Sequence, residues 1–119
     1  MVTALKVRAH NPNRAAVYID GDFAFDLELD VVKQAGLEVG RLLDEEAQEA
    51  LLHEDQPYRA RSRALRLLEA RGRTAREVER RLLTAGFADE VVAEVILWLS
   101  DLGYLNDERY AAAYAAEKR

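Results

Sequence analysis

Between positions 58 and 86 the chain carries nine arginines against three glutamates, and between 87 and 117 it carries seven carboxylates against one arginine. These side chains could serve acid–base catalysis by paired carboxylates, cation binding by clustered carboxylates, or recognition of an anionic partner by guanidinium groups. Spacing separates these chemistries. Asp20 and Asp22 flank a glycine and read as a turn, while Glu45 and Glu46 sit where a helix start favours negative charge. Glu90 and Glu94 stand one helical turn apart and need further ligands to hold a cation. His10 and His53 have no partner at metal-ligand spacing. Glycine-rich phosphate loops and the GxSxG and HExxH motifs are missing from the sequence. Neither catalysis nor a cofactor, metal or small-molecule substrate is expected, and the arginines remain as the chemistry to explain.

Arg59, Arg63 and Arg66 fall within about 60° of one another on a helix, opposite its leucines. Arg76 and Arg80 share a face of the next helix, and Arg73 lies in the turn between. These six are the candidate contacts to a partner, because the planar guanidinium fork matches carboxylate and phosphate alike. The plainer reading is a solvated face on which pairs such as Arg66–Glu69, and Glu77 with Arg81 or Arg80, support the helices. Arg61 has a different phase, beside Leu68, and is expected in a structural pair with a carboxylate. Tyr58, Tyr104, Tyr110 and Tyr114 have rings that could stack on bases. Core packing is the expectation for Tyr104 and Tyr110, which adjoin helix caps, and for Trp98. Leu97 falls on the polar side of its helix, to pack on the β-rich part of the chain or to face a partner.

The elements that position these residues are legible from local signals. Residues 2–9 and Ala15-Ala16-Val17-Tyr18-Ile19 read as strands separated by the turn Asn11-Pro12-Asn13-Arg14. Asp20-Gly21-Asp22 predicts a tight hairpin leading to a third strand, with Phe23, Phe25 and Leu27 on one face and Ala24, Asp26 and Glu28 on the other. A short helix over 29–35, closed by Gly36, is the nearest cover for the apolar face. Residues 37–43 are ambiguous, with Gly40 at a bend. A helix opens at Asp44-Glu45-Glu46 and runs to about 53, and Glu54-Asp55-Gln56-Pro57 reads as a boundary, with Pro57 in the first turn of the next helix.

Three helices follow. The first runs over 57–70 and is closed by Gly72. The second begins with the capping box Thr74-Ala75-Arg76-Glu77 and ends at Gly86, with Phe87 packing over its cap. The third runs from Asp89 to Leu102, before Gly103. Apolar stripes are Ala60, Ala64, Leu67 and Leu68 on the first, Ala75, Val78, Leu82 and Ala85 on the second, and Val91, Val92, Val95, Ile96, Trp98, Leu99 and Leu102 on the third. The last stripe is wide enough to meet two neighbours. Asn106 or Asp107 caps a fourth helix, which repeats the opening of the first with Tyr110 and Tyr114. The expected fold is mainly α with a small N-terminal antiparallel β element and a three-helix, repeat-like unit. Its parts are a β-rich segment with a connecting helix at 1–56, the three-helix repeat at 57–105, and the first helix of a following repeat at 106–119.

Composition bounds the function further. The chain has 119 residues, 50% hydrophobic and 33% charged, with no cysteine, and a net charge of −5. Lack of cysteine excludes disulfides, thiolate catalysis and cysteine-based zinc sites, and it fits a reducing compartment. No apolar run approaches the roughly 18 residues of a membrane helix, and residues 1–6 do not read as a secretory signal. A soluble cytoplasmic protein is the expectation. The net charge divides unevenly: residues 1–56 sum to −7 and 57–119 to +2, so an anionic partner is allowed on a limited surface.

One ordered series of segments is specific. Arg63-Ala64-Leu65-Arg66-Leu67-Leu68, Arg76-Glu77-Val78-Glu79-Arg80-Arg81-Leu82, Gly86-Phe87, and Leu102-Gly103-Tyr104-Leu105-Asn106-Asp107-Glu108-Arg109-Tyr110-Ala111 closely resemble the RecX family of bacterial recombination regulators. Leu5-Lys6-Val7, Asn13-Arg14, Val17-Tyr18-Ile19-Asp20-Gly21 and Phe23-Ala24-Phe25 extend the resemblance through nearly the whole chain. It implies a non-enzymatic regulator of the RecA recombinase in DNA recombination, repair and the SOS response, built from tandem three-helix repeats after a variable N-terminal region. Such proteins bind in the groove of the RecA–single-stranded DNA filament and inhibit strand exchange, ATP hydrolysis and co-protease function. With one full repeat and one helix of the next, the chain looks like the N-terminal portion of a longer regulator or a short member. The reading from a different class is a stand-alone DNA-binding module of helix-turn-helix type, which three short helices also suit. Acidic residues on the third helix disfavour it through phosphate repulsion.

Overall fold

A computed structural model describes residues 1–106 of the chain. Its elements, in order, are strands β1 (Val2–Val7), β2 (Arg14–Ile19) and β3 (Asp22–Glu28), then helices α1 (Leu29–Gln34), α2 (Glu45–Ala70), α3 (Ala75–Thr84) and α4 (Asp89–Asp101). Contacts divide the chain into two units, the first being Met1–Asp55 and the second beginning at Gln56. The fourth helix expected over 106–119, with Tyr110 and Tyr114, lies outside the described residues.

In the first unit the strands form an antiparallel sheet in the order β1-β2-β3. Asp20 and Gly21 both take positive φ, 52° and 88°, the geometry that a two-residue primed turn requires. The sheet departs from simple alternation at two places, one between Val2 and Ala4 of β1 and the other where β2 meets β3. Val17 pairs with Phe25 but Tyr18 pairs with Phe23, so Ala24 is the extra residue of a bulge. Phe25 therefore shares the face of Val17, whereas Phe23 lies on the opposite face with Tyr18. The expectation that Phe23, Phe25 and Leu27 share a face is corrected by that extra residue: Leu27 is fully buried while Phe23 is 51% exposed. Ala15, Val17 and Leu27 are buried in this unit, together with Val2, Val31, Leu37, Leu43 and Leu51. The ambiguous 37–43 segment joins the sheet edge, where Val2 N–H donates to the Arg41 carbonyl and Gly40 N–H to the Val2 carbonyl, both at 2.8 Å.

The boundary expected at 54–57 is not a break in the helix. α2 runs continuously through it, with Pro57 in its interior. Proline there removes one amide donor and crowds the preceding turn, a local cost of about 3 kcal/mol. Burial of Leu51 and Asp55 before it, and of Ala60 after it, supplies tertiary packing that outweighs this cost. At the other end, the Asp44 carboxylate accepts the Ala47 amide at 2.7 Å and caps the first turn.

The second unit has a core of Ala60, Ala64, Val78, Leu82, Val91, Val92, Val95, Leu99 and Leu105, with Leu68, Ala75, Phe87, Ile96 and Trp98 packed against it. α3 starts with the full capping box: the Thr74 hydroxyl accepts the Glu77 amide at 3.2 Å and the Glu77 carboxylate accepts the Thr74 amide at 3.4 Å. It closes at Gly86, whose φ of 96° turns the chain so that Phe87 N–H reaches the Leu82 carbonyl at 3.2 Å. α4 has no side-chain cap from its own N-cap residue; instead the Gln56 carboxamide oxygen accepts the Ala88 amide at 2.8 Å. Three residues depart from the expected core: Ala85, the C-cap of α3, is exposed, and so are Leu102 and Tyr104. Leu102 and Tyr104 are 47% and 54% exposed, because the turn at Gly103 (φ 73°) carries the chain round so that Leu105 is the residue that inserts.

Candidate functional site

The second half of α2 buries Ala60 and Ala64, and helical spacing puts Arg59, Arg63 and Arg66 on a neighbouring face, all exposed. α3 buries Val78 and Leu82 and exposes Arg76 and Arg80. Arg59 lies with its guanidinium carbon 5.7 Å from the centre of the Phe87 ring, a cation–π contact that sets its direction. Among the described residues, none of these five arginines has a carboxylate within 4.0 Å. The helix-supporting pairs Arg66–Glu69 and Glu77–Arg81 or Arg80 do not form there. Glu77 is taken by Arg71 at 2.7 Å, and that bond, with the Thr74 amide, holds its carboxyl below the usual range.

Arg73 is a correction. It is only 8% exposed, its Nε–H donates to the Leu67 carbonyl at 3.0 Å, and its own carbonyl accepts the Asn106 amide at 2.8 Å. A guanidinium that satisfies the frayed carbonyl end of α2 is structural, and it does not belong to the exposed set. Arg61 is the structural arginine anticipated from its phase. It pairs with Glu94 at 3.1 Å and lies 5.1 Å from the Trp98 ring centre, tying α2 to α4.

α4 presents the opposite character. Asp89, Glu90, Glu94 and Asp101 are exposed, and Leu97 stands among them at 66% exposure. Leu97 is therefore not packed into a core. The described residues of the two units contain no grouping of three His, Asp or Glu side chains placed to hold a metal ion.

Sequence reasoning missed the most buried charge in the first unit. The Arg14 guanidinium donates to Asp55 at 2.7 Å and to Asp26 at 2.8 Å, and approaches Glu28 at 3.4 Å. Asp55 also accepts the Glu28 amide at 2.8 Å, and Arg8 reaches Asp26 at 3.0 Å. Burial works against the charge on Arg14, but hydrogen bonds to Asp55 and Asp26 outweigh it and raise its pKa. Burial likewise pushes Asp26 up, yet Arg14 and Arg8 together bring it below its usual value. Glu28 goes the other way, since burial and the neighbouring charges of Asp55 and Asp30 exceed the help from Arg14. No spacing signal joins position 14 to position 55. The one hint was an arginine at the start of a strand otherwise apolar on both faces.

Comparison with known proteins adds a decisive match. Residues 1–44 fit the model of the regulatory protein RecX N-terminal domain, and residues 60–99 fit that of the RecX first three-helix domain. The chain belongs to the RecX family. A regulatory protein RecX from Bacillus subtilis is 33% identical over 97% of this chain and 44% of its own length. One from Clostridium perfringens is 29% identical over 98% of this chain and 55% of its own length. A crystal structure of a regulatory protein RecX superimposes with a TM-score of 0.70 at 28% identity, covering 98% of this chain and 57% of that one. The chain thus spans about half the length of the RecX proteins it matches. Arg63, Arg66, Arg76 and Arg80 fall inside the matched three-helix domain, and Arg59 immediately precedes it. Among the described residues no helix is long and apolar enough to cross a membrane.

Proposed function

We propose that this chain is a cytoplasmic, non-enzymatic regulator that binds the RecA–single-stranded DNA filament and inhibits its recombinase, ATPase and co-protease activities. The observation that carries the reading is the set of five exposed arginines on α2 and α3, with no carboxylate within 4.0 Å among the described residues. Uncompensated guanidinium groups on two adjoining helices of a RecX three-helix domain suit an anionic filament surface, whether RecA carboxylates or DNA phosphates. The helix-turn-helix alternative places α4 as the third helix against DNA, where its exposed carboxylates would repel phosphate.

The test is a filament-binding titration at several salt concentrations for Arg59→Ala, Arg63→Ala, Arg66→Ala, Arg76→Ala and Arg80→Ala, with naked single-stranded DNA as the comparison. Phosphate contacts give a steep salt dependence whose slope falls by about one for each arginine removed. RecA carboxylate contacts give a shallower dependence and uneven losses, from near zero to about 3 kcal/mol. Five variants that bind like the parent at every salt concentration would remove the arginine surface from the interface.

A further inference from the structure

α4 carries a stripe that the filament reading does not use. Glu90, Glu94, Leu97 and Asp101 follow the i, i+4, i+7, i+11 spacing of one helical face, and Leu97 at its centre is 66% exposed. An exposed leucine ringed by carboxylates fits side chains with aliphatic stems and cationic heads, which is the description of arginine. The fold already shows this stripe accepting one: Arg61 of the same molecule reaches Glu94 at 3.1 Å. Glu90 and Asp101 have no cation within 4.0 Å among the described residues.

The chain also carries the complement. Arg59, Arg63 and Arg66 occupy the i, i+4, i+7 positions of an exposed face of α2 and have no carboxylate in reach within their own molecule, among the described residues. The two stripes share a helical period and carry opposite charge, and among the described residues Glu90 and Asp101 on one and the three arginines on the other find no charged partner within their own molecule.

We infer that the acidic stripe of α4 docks the arginine stripe of α2 of a second copy of this chain, joining molecules head to tail. The contact is heterologous, so each copy donates one stripe and accepts the other, and association proceeds as an open series rather than stopping at a symmetric dimer. One helix face on another is a small, largely charged interface, so the association is weak and salt-sensitive. It draws on the same arginines as the filament reading but does not rest on it, and its test contains neither RecA nor DNA.

Sedimentation equilibrium of the full chain up to about 1 mM is the measurement, at about 0.1 M and about 1 M salt, across which the screening length falls from about 10 Å to about 3 Å. The weight-average mass should climb with concentration at low salt and return to the monomer value at high salt. Two neutralised variants sharpen the test. Arg59→Gln/Arg63→Gln/Arg66→Gln lacks the basic stripe, and Glu90→Gln/Leu97→Gln/Asp101→Asn lacks the acidic one while sparing Glu94 for Arg61. Each alone should stay monomeric, and an equal mixture should stop at the dimer, because one intact pair of stripes remains. All six positions are exposed, and thermal melts establish that each variant is folded. A parent chain that is monomeric throughout, a mixture that does not associate, or either variant associating alone overturns the inference. So does a monomeric parent whose α4 binds an arginine-rich helical peptide, since the occupant is then not a second copy.

Discussion

Arg14 and Asp55, 41 residues apart in the chain, meet at 2.7 Å within the first unit, where the Asp55 side chain has no solvent exposure. The carboxylate also holds the Glu28 amide, so one side chain of α2 secures the last residue of β3 and the arginine that opens β2. The network sets the first prediction. Asp55→Ala leaves a buried guanidinium with one partner fewer and an amide without an acceptor. Removing one member of such a buried pair costs about 3–5 kcal/mol, so chemical denaturation should show a loss of that size. A loss below about 1 kcal/mol would mean that water replaces the carboxylate.

Acidification separates two neighbours of Arg14. Asp26 has a folded pKa below its unfolded one, so its contribution is complete at neutral pH and is lost as pH falls through the folded value. Glu28 has a folded pKa above its unfolded one, so its contribution is present at low pH and is lost as pH rises through the folded value. Asp26→Asn should therefore destabilise at pH 7 and converge with the parent once pH has fallen below the folded value, while Glu28→Gln should be best tolerated at neutral pH and compare worst at acid pH. Melting temperature against pH for the two variants checks both signs.

Thr74 and Glu77 close the capping box of α3. Thr74→Ala removes the acceptor of the Glu77 amide and should cost about 1 kcal/mol, whereas Thr74→Ser retains most of the stability. Urea midpoints of the two variants report the difference.

Arg73 and Arg63 are expected to part company. Arg73→Ala deletes the bond to the Leu67 carbonyl from a buried position, and a lower melting temperature is its main effect. Arg63→Ala changes an exposed residue and should leave stability within about 0.5 kcal/mol while weakening filament binding. Melts and filament titrations on the same preparations decide this; the reverse pattern would place Arg73, not Arg63, in the interface.

Local chemistry was enough to specify much of this protein from its sequence. The Asp20-Gly21 turn, the Thr74–Glu77 box and the glycines at 36, 86 and 103 act over a few residues and occur where their spacing places them, and the apolar stripes do so except at Ala85 and Leu102 near the helix ends. The ordered segments that mark the RecX family are equally a property of the chain. Tertiary structure alone decided the rest. The bulge at Ala24 reversed the face of Phe23, because a strand's alternation holds only as long as its register does. Burial on both sides of Pro57 carried α2 through a residue that would end an isolated helix. Arg73 and Arg63 are the same amino acid, yet the first is buried and bonded to the Leu67 carbonyl while the second is exposed. Arg14 and Asp55 form a pair because the sheet and α2 bring them together, and no local signal reaches across 41 residues.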